Sequence, residues 1–152
     1  MTKKRYLMGI LALFVGCVVN YFGDRLLGVQ IELFRGLQGF GGPWFADMFI
    51  LPFFVGAVVA ALYGRGGKWL CYFPPLFVRL FSYYEISHMN SIPVNTSLIP
   101  MGWWGFFVLL VVESAALGGL AYEFLIKAKF GKKPSRTKNK QTIRKNERDV
   151  KA

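Results

Sequence analysis

Residues 44–63 read WFADMFILPFFVGAVVAALY, and residues 64–68 that follow read GRGGK. The first stretch has one charged residue, Asp47, near its start, and is as long as the roughly 20 apolar residues a helix needs to cross a bilayer core. Trp44 gives it an interfacial anchor at one end, and the short turn carrying Arg65 and Lys68 closes the other. Basic residues next to apolar spans mark the cytoplasmic side. Pro52 predicts a kink within the span, because proline lacks a backbone N–H and crowds the preceding helical turn.

Towards the N-terminus, Lys3-Lys4-Arg5 precedes an apolar run over residues 6–22. This outline is shared with signal peptides, and Phe14-Val15-Gly16-Cys17 has the outline of a lipoprotein cleavage site. Phe14 is a poor residue for such a site and no small-x-small pattern follows, so the run is expected to stay as the first span. Between the two spans, Leu26, Val29, Leu33, Leu37 and Phe40 recur at helical spacing, with Arg25, Gln30, Glu32, Arg35 and Gln38 largely on the other side. That pattern predicts an amphipathic helix lying in the membrane interface. The alternation in Val29–Leu33 is a weaker signal for extended chain, and Gly39–Pro43 ends the segment.

Towards the C-terminus, residues 69–84 form a shorter apolar run with Pro74-Pro75 in its middle and Arg79 in its second half, predicting a broken helix. Residues 103–126 open on Trp103-Trp104 and carry Glu113 near their centre and Glu123 near their end. Charge decides whether the third run crosses. If it does, sixteen of the nineteen Lys and Arg fall on one side, and only Arg25 and Arg35 occupy the outer loops. The expected architecture is therefore an all-α integral membrane protein of about four transmembrane helices (6–22, 44–63, 69–84, 103–126), with both termini cytoplasmic. Residues 1–130 make one membrane domain, and 131–152 are a basic tail without an apolar face, expected to be disordered. Residence in a plasma membrane, a bacterial inner membrane, is inferred from the same positive-inside pattern.

With 54% hydrophobic and 17% aromatic residues in 152, the chain has no room for a second folded domain. A net charge of +11 would suit nucleic acid, but the basic residues flank spans and the tail lacks the interleaved aromatics of a single-strand binder. Lys132, Lys133, Arg136, Lys138, Lys140, Arg144 and Lys145 are instead expected to meet anionic lipid at the cytoplasmic face, or an acidic partner. Cys17 and Cys71 both sit inside expected spans, with no CxxC and no Cys/His cluster, so they read as packing residues. Glu85 and His88 have the Glu-x-x-His spacing of carboxylate-bridged metal sites, but those need two such motifs, and the chain has one histidine. Asn95-Thr96-Ser97 matches a glycosylation acceptor, a short pattern that chance often supplies. The glycines of 36–42 lack the Lys-Ser/Thr that a phosphate loop requires.

Glu113 is the sharpest residue, since a carboxylate deep in a bilayer costs several kcal/mol and ordinarily faces a protein interior or a water path. Arg79 is its expected partner. Small residues at four-residue spacing, Ala12/Gly16, Gly56/Ala60, Ser114/Gly118 and Ala115/Gly119, allow helix backbones to approach closely. These features predict an accessory subunit of a larger membrane assembly, packing through its small-residue stripes and tethering through its tail. No cofactor, metal, soluble substrate or catalytic residue is expected. A small oligomeric transporter or channel component using Glu113 and Arg79 is the alternative. A lipid-modifying enzyme would require Asp24, Asp47, Glu85 and His88 to converge at the outer interface.

Overall fold

The protein is described here by a computed structural model covering residues 2–36, 39–64, 66–89 and 94–130. The tail lies outside the described residues, so Lys132, Lys133, Arg136, Lys138, Lys140, Arg144 and Lys145 have no structural account.

The chain is mostly helical, and three of its helices are long and apolar enough to cross a membrane: Lys3–Leu27, Gly42–Tyr63 and Met101–Lys129. The first lies within α1 (Thr2–Leu27). The second is a rod built from α2 (Gly42–Phe45), a π-helical turn (Ala46–Ile50) and α3 (Leu51–Tyr63). A 3-10 turn (Gly67–Tyr72) runs into α4 (Phe73–Ser87), and α5 (Met101–Phe130) completes the bundle. Between the helices, β1 (Leu33–Phe34) pairs antiparallel with β2 (Ser97–Leu98).

Contacts between helix ends give the chain direction. The β1–β2 pair and the Arg25–Glu85 ion pair at 3.7 Å put the loops after α1 and α4 at one end. At the opposite end Tyr63 packs over Gly9, and the Gly66 N–H donates to Glu123 Oε1 at 3.1 Å. The helices therefore run alternately up and down. The end that carries the β pair is called the loop end below.

Two expectations need correction. The segment after residue 22 is not an interfacial helix. Instead α1 continues to Leu27 and is stopped by Gly28, whose φ of 65° lets its N–H reach back to the Asp24 and Arg25 carbonyls. A left-handed glycine is a standard helix stop, and beyond it the chain makes a turn, with the Leu33 N–H donating to the Gln30 carbonyl at 3.2 Å, before β1; the Ile99 N–H donates to the Glu32 carbonyl at 2.9 Å. The apolar residues that mimic a helical face divide their burial, Leu33 going inward and Leu26 outward, while Ile31, off that face, is buried. Secondly, Pro74 and Pro75 do not break the third run. They stand in the first turn of α4, where the missing N–H has no helical partner to lose. At Pro52 the rod is irregular: a widened π turn precedes the proline and adds a residue where its ring would crowd the turn before it.

The tightest packing is between α3 and α5. A Cβ on Gly56 would collide with the carbonyl of Ala115, and one on Gly118 with the carbonyl of Phe53. Gly119, the next residue of α5, faces the 3-10 turn instead, and a Cβ there would collide with Cys71 Sγ. Gly16 of α1 packs on Val59 and Pro74, whose side-chain carbons lie 2.7 and 2.8 Å from where its Cβ would stand. Ala12, Val55, Val59, Ala60 and Cys71 form a fully enclosed aliphatic cluster beside these contacts. Cys71 Sγ lies 3.2 Å from both the Gly56 and Gly67 carbonyls, and Ser114 Oγ donates to Leu110 of its own helix. Gly16, Gly56, Ala60, Ser114, Gly118 and Gly119 are thus taken up by the chain's own helix contacts, rather than turned out towards another subunit. Each faces a neighbouring segment of the same bundle, because the four-residue spacing that strips one helix face of bulk is met there by another helix or turn. Facing outward are large aromatics, among them Phe54, Phe77, Phe81 and Tyr84.

Candidate functional site

Arg79 is the largest fully buried side chain, at 1% exposure, on the inward face of α4 with Val78 and Ile86. A guanidinium cannot shed its charge, so its burial demands acidic partners. Three arrive from three different segments. Asp24 comes from the last turn of α1, and its Oδ1 accepts from Arg79 Nη2 at 2.8 Å. Asp47 comes from the π turn, and its Oδ2 accepts from the same nitrogen at 2.9 Å. Glu32, just before β1, accepts from Nη1 at 3.4 Å. Gly28 makes the bend that brings Glu32 back over the end of α1. The widened turn around Asp47 is a second irregularity that serves the site, in keeping with the frequent occurrence of π turns at working residues.

Acids outnumber the base. One guanidinium faces three carboxyl groups, all at or below 8% exposure. Asp24 Oδ2, Glu32 Oε2 and Asp47 Oδ1 have no hydrogen-bond partner among the described residues, nor do Arg79 Nε or either amide atom of Asn20, one turn below Asp24 on α1. Burial pushes the Glu32 carboxyl above its ordinary range although Arg79 pulls it down. Buried polar atoms are nearly always satisfied, so this much unused acceptor capacity marks a place where a donor can be received. Among the described residues no group of three or more His, Cys, Asp or Glu is arranged to hold a metal ion, since Arg79 stands between the carboxylates.

Arg79, Asp24 and Glu32, but not Asp47, line a recess of about 290 Å³ at the loop end. Its walls include Tyr21, Arg25, Gln30, Arg35, Ser82 and Glu85. The aliphatic cluster of Ala12, Val55, Val59, Ala60 and Cys71 contributes no residue to its lining.

The expected Arg79–Glu113 pair does not form: all ion pairs of Arg79 go to Asp24, Glu32 and Asp47. Glu113 is on the exposed side of α5, beside Lys68, Trp69 and Tyr72 around a shallow recess of about 250 Å³. Both groups are in the helical bundle, but α5 turns Glu113 away from α4. Of the four residues a lipid-modifying site would need, Asp24 and Asp47 meet at Arg79 and Glu85 lines the recess. His88 is exposed, with Nδ1 2.9 Å from the Tyr84 carbonyl and 3.0 Å from Ser87 Oγ. Helical spacing places Glu32 on a solvated face, whereas the fold leaves it 1% exposed. The signal for it lies in the topology itself: with α1 ending and α4 ending on the same side, residues 24–47 and Arg79 must share an end.

No protein family, curated protein sequence or solved structure matches the chain.

Proposed function

We propose that this chain is a four-span membrane protein with both termini cytoplasmic, acting as a binding component whose site is the Arg79 recess on the non-cytoplasmic side. The observation that carries the reading is a permanently charged arginine, fully buried among three carboxyl groups from separate segments, in the lining of a recess. A conduit would need polar groups along its length, and beyond Asn20, one turn below Asp24, the enclosed cluster is valine, alanine and cysteine. The third crossing is supported by length: the 15 residues of α4 rise about 22 Å at 1.5 Å each, and the 3-10 turn adds about 12 Å. Together these match a hydrocarbon layer of roughly 30 Å.

The test is a Ser82→Cys variant, with Cys17 replaced by Ala, exposed to a membrane-impermeant maleimide in intact cells. Ser82 is a half-buried wall residue and Cys71 is enclosed. Labelling from outside is expected; labelling only after permeabilisation would overturn the orientation and the reading with it.

A second observation favours membership of a larger assembly. Glu113 stands on the outward face of an apolar helix, and charged residues at membrane depth ordinarily face protein. We infer that a helix of another subunit covers it. Because the small-residue stripes are occupied within the chain, Glu113 and its neighbours Trp69 and Tyr72 become the contact surface. Glu113→Leu should release the partner in gentle-detergent purification without lowering recovery of the chain. Unchanged co-purification would remove this surface from consideration.

A further inference from the structure

The Arg79 recess does not stand alone. A second cavity of about 410 Å³ shares Gly28, Val29, Gln30 and Arg35 with it, and shares Phe34, Phe40 and Ile99 with a third. The third, about 510 Å³, is almost wholly apolar, walled by Phe34, Phe40, Ile99, Pro100, Trp103 and Phe107. The three therefore adjoin in a row around the loop end, from charged through mixed to aromatic. Each lies within or near the range of roughly 300–1,000 Å³ usual for small-molecule sites. A soluble polar ligand would leave the aromatic groove unused, and a hydrocarbon would leave the carboxylates unused. An amphiphile with a charged head and an apolar chain uses both.

Charge narrows the head. Asp24 and Glu32 line the recess, and Asp24 Oδ2 and Glu32 Oε2 are acceptors without donors, enclosed just beneath its surface. Arg35 lines both the first and second cavities, is exposed, and has no ion pair among the described residues. Free carboxylate oxygens ask for an N–H-bearing cation, and a free guanidinium asks for a phosphate, which it grips in a fixed two-point geometry. A quaternary ammonium carries no N–H and would leave the carboxylates unpaired.

We propose that this row of cavities binds one phospholipid whose headgroup carries a primary amine. The ammonium donates to Asp24 and Glu32, the phosphate sits on Arg35, and an acyl chain lies along Phe34, Phe40, Trp103 and Phe107. The inference rests on the outward-opening recess proposed above.

The experiment uses the purified full chain in detergent, mixed with equal amounts of phosphatidylethanolamine, phosphatidylcholine and phosphatidylglycerol, with retained lipid counted by native mass spectrometry. About one phosphatidylethanolamine per chain is expected, held at least ~10-fold more tightly than phosphatidylcholine, a factor worth about 1.4 kcal/mol. Arg35→Ala and Phe34→Ser, both at exposed positions, should each cut retention several-fold while leaving the elution profile of the protein unchanged. Equal retention of the three lipids, or full retention by both variants, would overturn the inference. Phosphatidylethanolamine should also protect Ser82→Cys from maleimide. A cysteine labelled from outside but unprotected by the lipid would remove the lipid and keep the open recess; one unreachable from outside would remove both.

Discussion

Two regions of this molecule solve opposite problems in burying helix surface. Where α3 crosses α5, contact is made by omission: Gly56 lies on the Ala115 carbonyl and Gly118 on the Phe53 carbonyl, so backbone touches backbone. With the bundle in lipid, as proposed, no hydrophobic gain separates helix–helix from helix–lipid contact, and close approach supplies the dispersion energy instead. At the loop end, α1, the π turn and α4 meet through Arg79, Asp24 and Asp47, with Glu32 folded in from the connecting segment. That region buries an excess of acid over base and leaves acceptors unused. A buried ion cluster is poor support for stability, because desolvation offsets much of the attraction. The contrast separates what holds the bundle together from what the bundle presents.

The largest effect should come from breaking the charged region at its buried cation. Arg79→Leu would strand three buried carboxyl groups, and losing one partner of a buried pair typically costs about 3–5 kcal/mol. A sharp fall in Tm and in monodisperse recovery from detergent is expected. Retention of the native Tm would mean that the carboxyl groups are neutral without it.

The close-packed region should break at a single methyl. Gly56→Ala and Gly118→Ala each put a carbon onto a carbonyl that cannot move without separating the helices, and overpacking of this kind costs roughly 1–3 kcal/mol. Their effects should fall short of additive, since each separates the same two helices. Full additivity would show that the two glycines act on independent contacts.

A subtler test reads the charged region through pH. A carboxyl whose folded pKa is raised binds its proton more tightly folded than unfolded. The Glu32 contribution is then greatest below the unfolded value and is lost as pH rises through the folded one. The Tm of the native chain, minus that of Glu32→Gln, should therefore be larger near pH 5 than near pH 8, each tenfold difference in proton affinity being worth about 1.4 kcal/mol. A difference that does not vary with pH would place Glu32 in an ordinary solvated setting.

The smallest effect should be at the rim. Arg25 and Glu85 are 3.7 Å apart with side chains 61% and 40% exposed, and such pairs are worth about 0–1 kcal/mol. Arg25→Ala should leave Tm almost unchanged; a large loss would show that the rim is enclosed by something further.

Much of the bundle is legible in the sequence because long apolar runs leave the backbone few ways to satisfy its hydrogen bonds. Long apolar runs at 44–63 and 103–126, with their tryptophan edges, can satisfy their backbone only as helices, and both appear as such. The segment after Phe22 misleads for a specific reason. Leu26, Val29 and Leu33 are spaced as on a helix, but Gly28 adopts a positive φ that periodicity does not register. Pro74-Pro75 misleads because a proline pair looks alike inside a helix and at its start; only the position of the preceding 3-10 turn separates the two.

The candidate site shows the same division. That Arg79 needs an acidic partner follows from its place in an apolar run, as does the difficulty of Glu113. Which acid it pairs with does not follow, because spacing along one helix does not give the rotation of that helix against its neighbours. The sequence by itself determined the helical class, the approximate spans, and the need to neutralise an arginine among apolar residues, since these depend on composition and on the cost of burying charge. Tertiary structure decided that Asp24, Glu32 and Asp47 answer that need and that Glu113 faces outward. It also decided that Gly56 and Gly118 close on the facing helix while Gly119 closes on Cys71, because each of these depends on which faces of separate segments meet in space.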